Sequence, residues 1–362
     1  MKLLFIRYKK SKNILEGGEQ GSQKNYNVLS KIIGEDNIDT YYIHDENKKK
    51  TVNDYLHGFF YFFKSYYFGL TPNRVKDIID SASIYDYVFI DRSVFGIIAK
   101  ELKKAKYQGQ VICFFHNVEK LYFAAKIPWY MPWRQLILNC VDKNDKLCCQ
   151  YGDKIIALNA RDNEELKSRY HRGADVLIPV AFNDKYKAGQ HNEILNTSKK
   201  PKCLFLGAFF RPNNEGIEWF IKNVYPYVDI QLQIVGKGMA KLKEKDFILP
   251  EIEVIENVPD LTPYFENADV MILPIFKGSG MKVKTCESLM YGKNILATDE
   301  ALVGYEVDDD KIGGRCNNDI EFIDKINDFI KNPRPKFNMY SRNLYLEKYS
   351  EQAVEKLFRS VL

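Results

Sequence analysis

Short, almost wholly apolar runs alternate along this chain with longer stretches in which apolar residues return every three or four positions. The first pattern reads as strands buried on both faces, the second as helices lying over them. Strands are expected at "KLLFI", "YDYVFID", "QVICFFHN", "DKIIALN" and "ADVLIPV", with helices at "SQKNYNVLSKII", "SVFGIIAKELKKA" and "ARDNEELKSRY". A polar segment without periodicity, "NDKYKAGQHNEILNTSKKPK", then interrupts the pattern. It restarts with strands at "KCLFLGA", "IQLQIVG", "EIEVIENV", "DVMILPI" and "NILAT". Their helices are "NEGIEWFIKNVYPYV", "LTPYFENA" and "MKVKTCESLMY", the last stopped by Gly292. Strand–helix alternation of this kind predicts βαβ units around parallel sheets. The expected fold class is α/β, two doubly wound Rossmann-like domains facing a central cleft. The expected divisions are a first domain at 1–181, a linker at 182–200, a second domain at 201–345 and an amphipathic C-terminal helix at 346–362 that packs on either domain.

Composition narrows the partners. With 362 residues, 45% hydrophobic and 28% charged, the chain suits two folded domains. A formal charge of +5 over this length is too mild for a nucleic-acid binder, and zinc spacings and RNP-like patterns are missing. Seven cysteines, an odd number without a Cys-x-x-Cys, read as reduced buried thiols in a cytoplasmic protein. The N-terminal "MKLLFIRYKK" reads as a first strand rather than a signal peptide, and no apolar segment approaches the ~20 residues of a membrane span. Aromatic residues reach 14%, concentrated in "YLHGFFYFFKSYYFGL" and "PWYMPWR". The first of these reads as a core helix or as an interfacial one, and together they leave peripheral membrane contact as a candidate property of the first half.

The glycine-rich turns carry the candidate chemistry. In "PIFKGSGMKVKTCESLMYGK" a strand turns through glycines onto a helix start, where exposed amides and a close backbone approach suit phosphate oxygens. Lys282 and Lys284 add charge there, and Glu287 is placed to accept hydrogen bonds from vicinal hydroxyls such as those of a ribose. A surface loop with a Lys284–Glu287 pair is the competing reading. "GGEQG" after the first strand lacks the G-x-G-x-x-G spacing of a dinucleotide site, and a flexible βα connection is the favoured reading. His116 ends the strand "VICFF", at the carboxyl edge where ligands of open α/β sheets sit, although Asn117 beside it also suits a helix cap. The acidic run Asp308–Asp309–Asp310 reads as a solvated turn rather than a metal site.

Taken in order along the chain, "EGG", "FFHNVE", "FLGAFFRPNNEGIEWFI", "LQIVGKG", "NADVMILPI" and "GSGMKVKTCESLMYGKNILATDEALVG" resemble the GT-B fold, family-4 retaining glycosyltransferases. The block at 278–304 is the most specific. The resemblance implies a nucleotide-sugar donor, with UDP as the expected nucleotide, held mostly by the second domain. Glu287 is implied to bind the donor ribose and the backbone at Ser279, Gly280, Met281 and Lys282 the diphosphate. Ile255 and Val258 are implied to meet the base, Gly236 to allow close approach, Gly17 and Gly18 to bring the first-domain loop to the phosphates, and His116 to contact the donor sugar. The chain departs from the family in two places: Ser279 stands where a glutamate is usual, and Ala208 with Asn213 or Asn214 stands where the family carries Arg and Lys. Lys282, with Arg211, is expected to supply the missing charge. His116, Lys282 and Glu287 are the catalytic candidates. The expected activity is retaining transfer of a hexose to a glycan or lipid-linked saccharide in cell-surface polysaccharide or glycoconjugate synthesis, with no cofactor and no metal. A sugar-nucleotide epimerase of the same fold and a non-catalytic nucleotide-sugar binder are the alternatives.

Overall fold

The computed structural model describes residues 1–9, 17–44, 60–187, 200–278 and 280–362. The chain forms two units, residues 1–179 with 354–362, and residues 180–353.

Unit 1 is built on a six-stranded parallel sheet in the order β2-β1-β3-β4-β5-β6. Its strands are β1 (Leu3–Lys9), β2 (Ile38–His44), β3 (Tyr87–Ile90), β4 (Gln110–Phe115), β5 (Lys154–Ala157) and β6 (Val176–Leu177). Parallel strands covered on both faces explain why β3 and β4 are continuous apolar runs, with Val88, Phe89, Ile112 and Phe115 inaccessible to solvent. The connecting helices are α1 (Gly17–Ile33), α2 (Pro72–Ala82), α3 (Gly96–Lys104), α4 (Glu119–Lys126), α5 (Arg134–Tyr151) and α6 (Ala160–Tyr170). The chain leaves β1 for β2 on one side and returns to β3 on the other. The topological switch point, where open α/β sheets bind ligands, therefore falls between the carboxyl ends of β1 and β3.

Unit 2 repeats the plan with β7 (Lys202–Leu206), β8 (Gln231–Val235), β9 (Glu253–Ile255), β10 (Val270–Leu273), β11 (Asn294–Ala297) and β12 (Gly313–Arg315). All pairs are parallel, in the order β12-β11-β10-β7-β8-β9. Counted from β7, this is the Rossmann strand order, and its switch point lies between β7 and β10. Helices α7 (Arg211–Asn223), α8 (Thr262–Asn267), α9 (Val283–Met290), α10 (Asp299–Leu302), α11 (Asp309–Ile312), α12 (Asp319–Lys331) and α13 (Met339–Leu344) connect or follow the strands. The last helix is α14 (Glu351–Arg359). Its Phe358 stacks on Phe114 of β4, with ring centroids 6.4 Å apart, and lies 6.2 Å from Phe89 of β3.

The unit borders differ from those expected at 181, 201 and 346. Residues 180–187 and 346–353 belong to unit 2 because they bind each other. Phe182 N donates to Tyr349 O at 3.4 Å, and Tyr345 Oη donates to Phe182 O at 2.7 Å. The rest of the expected linker, 188–199, lies outside the described residues.

Two local readings are also revised. The "GGEQG" segment is not a loop: Gly17 and Gly18 open α1 and Gly21 lies in its second turn. The aspartate run is a capped turn of helix, in which the Asp308 side chain accepts from Lys311 N and Asp309 pairs with Arg315. The aromatic stretch from 55 is described only from Phe60; Phe62 and Leu70 are buried, whereas Phe60, Phe63 and Phe68 are exposed. All seven cysteines are buried. Among the described residues no helix is long and apolar enough to cross a membrane.

Candidate functional site

In unit 2, the chain leaves β7 through Gly207–Phe210 into α7, and leaves β10 through Pro274–Lys282 into α9. Neither helix is capped by the side chain of its N-cap residue, Phe210 or Lys282, so first-turn amides are left to other acceptors. Strand ends crowd together here. A Cβ on Gly236, after β8, would fall 1.9 Å from Gly207 O, and its φ of +154° suits glycine. Gly236 N in turn donates to Ile255 O at 3.0 Å, so three neighbouring strands end in backbone contact. Ile255 and Val258 are half-buried beside this edge.

Two lysines of the 280–284 segment take different partners. Lys282 Nζ donates to Glu300 Oε1 at 2.7 Å and to Gly280 O at 2.9 Å. Its ammonium is thus neutralised by a carboxylate and used to fold the turn at Gly280, whose φ is +61°. Lys284, in the first turn of α9, reaches across the switch point. Its Nζ donates to Asn213 Oδ1 of α7 at 2.7 Å and lies over the Phe205 ring of β7, 4.6 Å from the centroid. Among the described residues it has no carboxylate in ion-pair contact. Desolvation, and then repulsion from Lys282, pull its pKa from 10.5 to about 7, with Glu287 acting in the opposite sense. Glu287 is half-buried one turn further along α9. Met281 is buried under the turn.

Unit 1 presents a different chemistry at its switch point. Asp91 and Arg92 follow β3, and His116 follows β4. His116 Nε2 faces Asp91 Oδ1 at 3.4 Å, and that same oxygen accepts from Asn25 Nδ2 of α1 at 2.9 Å. Gly21 leaves room for the imidazole, since a Cβ there would come within 3.1 Å of the ring. Arg92 pairs with Glu19 of α1 at 3.1 Å. Desolvation alone would raise the Asp91 carboxyl, but the facing His116, with Ser22 and the hydrogen-bonded Asn25, holds it below the ordinary value. Glu119 is pushed the other way by burial, opposed by Arg92 and His116, and Asp145 on α5 is raised further by burial and by Glu119. Carboxyls whose environments drive their pKa values apart divide into proton holders and proton acceptors. Asp91 Oδ2 and Arg7 Nε are buried without a hydrogen-bond partner among the described residues. Such groups are what a hydroxyl-bearing ligand satisfies.

Of the residues expected from sequence, Gly236, Ile255, Gly280, Met281, Lys282 and Glu287 gather at the unit 2 strand ends or on the helix that follows them, and His116 sits at the unit 1 edge. Gly17 and Gly18 begin α1, and Ser279 lies outside the described residues. The Arg211 guanidinium is 83% exposed and bound to Glu215 at 2.6 Å, an i,i+4 pair on α7. Lys282 is paired with Glu300. The sequence reading missed Asp91, Arg92 and Glu300 and undervalued Lys284. Asp91 and Glu300 stand within a few residues of the ends of buried strands, the position that signalled His116. Among the described residues no three His, Cys, Asp or Glu side chains gather as a metal requires.

Residues 200–332 match the family described as Glycosyl transferases group 1. No curated protein sequence matches the chain significantly. Solved structures similar to the whole chain include sucrose-phosphate synthase from Thermosynechococcus elongatus. It is 13% identical with a TM-score of 0.68, covering 99% of this chain and 98% of that one. Anabaena HepE in complex with UDP is 13% identical with a TM-score of 0.68 over 100% and 99% of the two chains. HepE in complex with UDP-glucose reaches 0.66 at 11% identity over the same shares. OtsA in its apo form gives 0.62 at 11% identity, covering 100% and 99%. The chain therefore has the GT-B fold, and residues 200–332 of its second unit carry the sequence signature of the group 1 glycosyl transferases.

Proposed function

We propose that the protein is a retaining glycosyltransferase that moves a hexose from a UDP-sugar to a saccharide or lipid-linked saccharide acceptor in the synthesis of cell-surface polysaccharide or glycoconjugate. The observation that carries the reading is the Rossmann switch point of unit 2, where Gly236, the Gly280 turn and the start of α9 meet inside the family-matched segment. Unit 2 binds the nucleotide. The first-turn amides of α9 hold the diphosphate, Glu287 accepts hydrogen bonds from the ribose hydroxyls, and the edge at Ile255 and Val258 meets the base. Lys282, through Glu300 and Gly280 O, keeps the turn in shape.

The step itself breaks the bond between the anomeric carbon and a diphosphate oxygen. The acceptor hydroxyl oxygen bonds to that carbon on the same face, and its proton passes to the departing diphosphate. Negative charge grows on the leaving group, so preorganised amides and an ammonium stabilise the transition state more than the ground state. No protein nucleophile is needed, and charge neutralisation is assigned to the chain's own groups rather than to a metal. In unit 1, the Asp91–His116 pair and Arg92 bind saccharide hydroxyls, with Asp91 fixing the imidazole's orientation.

The exposed aromatics support a membrane-borne acceptor. Trp129, Tyr130 and Trp133 are 86%, 68% and 50% exposed between α4 and α5. Arg134 pins this loop by donating to Ile127 O and Ala124 O, and Lys126 stands exposed beside it. Amphipathic rings next to a cation suit the interface of an anionic bilayer.

The test is incubation with a panel of UDP-, GDP- and ADP-sugars. Nucleotide release with transfer of sugar to an acceptor is the expected result. Interconversion of the donor sugar identifies an epimerase instead, and binding without turnover identifies a non-catalytic binder; either outcome overturns the proposal.

A further inference from the structure

Resting on the donor reading above, we infer that Lys284 is the cation that receives the nucleotide's diphosphate, and that it does so by taking up a proton as the nucleotide binds. The geometry selects it among the basic residues at this edge. Between β7 and the second turn of α7 the only basic side chain is Arg211, which is bound to Glu215 in solvent. Lys282 is closed off by Glu300. Lys277, in the same turn, is 75% exposed and pairs with Glu215 of α7 at 3.8 Å. Lys284 spans from α9 to α7 without a carboxylate in ion-pair contact among the described residues, with its Nζ on Asn213 Oδ1 and 3.0 Å from where a Cβ of Gly207 would stand. It is therefore beside the end of β7, between the first turns of α9 and α7.

Its surroundings explain why a proton is involved. The charged groups acting on Lys284 are Lys282, which opposes protonation, and Glu287, which favours it; β7 and α7 offer it the neutral Phe205 and Asn213. With its pKa near 7, the empty site holds only a partly charged amine at neutral pH. A diphosphate placed against it supplies the opposite charge that the protein withholds and restores the ammonium. Linkage then fixes the sign. Above pH 7 the bound state holds more protons than the free one, so affinity falls with rising pH, by roughly tenfold per pH unit.

Isothermal titration with UDP, GDP and ADP across pH 7–9, in two buffers of different ionisation enthalpy, reads both affinity and proton uptake. For the wild type the preferred nucleotide is expected to weaken in that proportion and, at pH 8, to take up about one proton. Lys284→Met should bind at least tenfold more weakly with little uptake, whereas Lys284→Arg, charged at every pH used, should keep affinity that is flat with pH. Lys282→Met removes a repulsion on Lys284, so its affinity should begin to fall at a higher pH than that of the wild type, with proton uptake retained. Without nucleotide, Lys284→Met should melt above the wild type at pH 6, where the half-buried, desolvated charge opposes folding, and the advantage should shrink towards pH 10; this also verifies that the variant folds. If the wild type binds UDP with a pH-independent affinity and Lys284→Met matches it within twofold, the role of Lys284 is overturned while the donor reading stands. If the wild type binds none of the three nucleotides, both fall together.

Discussion

The two sheets share a parallel plan and differ at their switch points. Unit 1 gathers buried carboxyls, an imidazole and an arginine: Arg92 pairs with Glu19, His116 faces Asp91, and both cations act on the buried Glu119. Unit 2 gathers glycines, helix starts and a lysine that, among the described residues, has no carboxylate in ion-pair contact. A balanced cluster with spare buried acceptors suits neutral hydroxyls, which need donors and acceptors in fixed directions. A partly charged lysine among exposed amides suits an anion, which brings the missing charge with it. In the proposed reading one architecture carries two recognition chemistries, and the difference lies in the first polar residues after each strand.

That division is open to mutational separation. The largest effect is expected from Glu287→Ala, which should reduce nucleotide affinity by roughly a hundredfold, since hydrogen bonds to a carboxylate contribute about 1.5–3 kcal/mol. Circular dichroism should show the fold unchanged. Asp91→Asn should instead leave nucleotide affinity within twofold and lower turnover by about tenfold, because it disturbs the hydroxyl-binding end; equal loss of both would erase the distinction between the units. The same variant has an acid signature. Because the folded Asp91 carboxyl lies below its unfolded value of 3.8, the stability it contributes is full above that pH and is lost as pH falls through the folded value. Asp91→Asn should therefore flatten the acid limb of the stability curve. The smallest effect is expected for Arg211→Ala, whose pair with Glu215 is screened by solvent; nucleotide affinity and melting temperature should hardly move. Flotation with anionic vesicles at low salt completes the series: Trp129→Ala with Trp133→Ala should release a protein that otherwise floats.

Most of the fold was legible because both sheets are parallel and buried, so apolar runs such as "VFI" and "VMIL" stand out from the helical periodicity around them. Borders were less legible. The bonds from Phe182 to Tyr345 and Tyr349 join segments more than 160 residues apart, and no local pattern encodes them. At the site, glycines and Glu287 were readable from motif and spacing. The assignment of charge was not, because Lys282 and Lys284 are two residues apart and equal by sequence. Only the positions of Glu300 and Asn213, brought in from α10 and α7, decide which ammonium is already neutralised. Asp91 escaped for the opposite reason: it reads as the end of a strand, and its role becomes visible when β4 delivers His116 alongside.

A crystal structure of the protein with UDP tests the central claim most directly. The account predicts both phosphates against the Gly280 turn and the first amides of α9, with Lys284 Nζ within hydrogen-bond distance of a phosphate oxygen and the ribose on Glu287. Phosphates seated elsewhere, with Lys284 still bound only to Asn213, would contradict it.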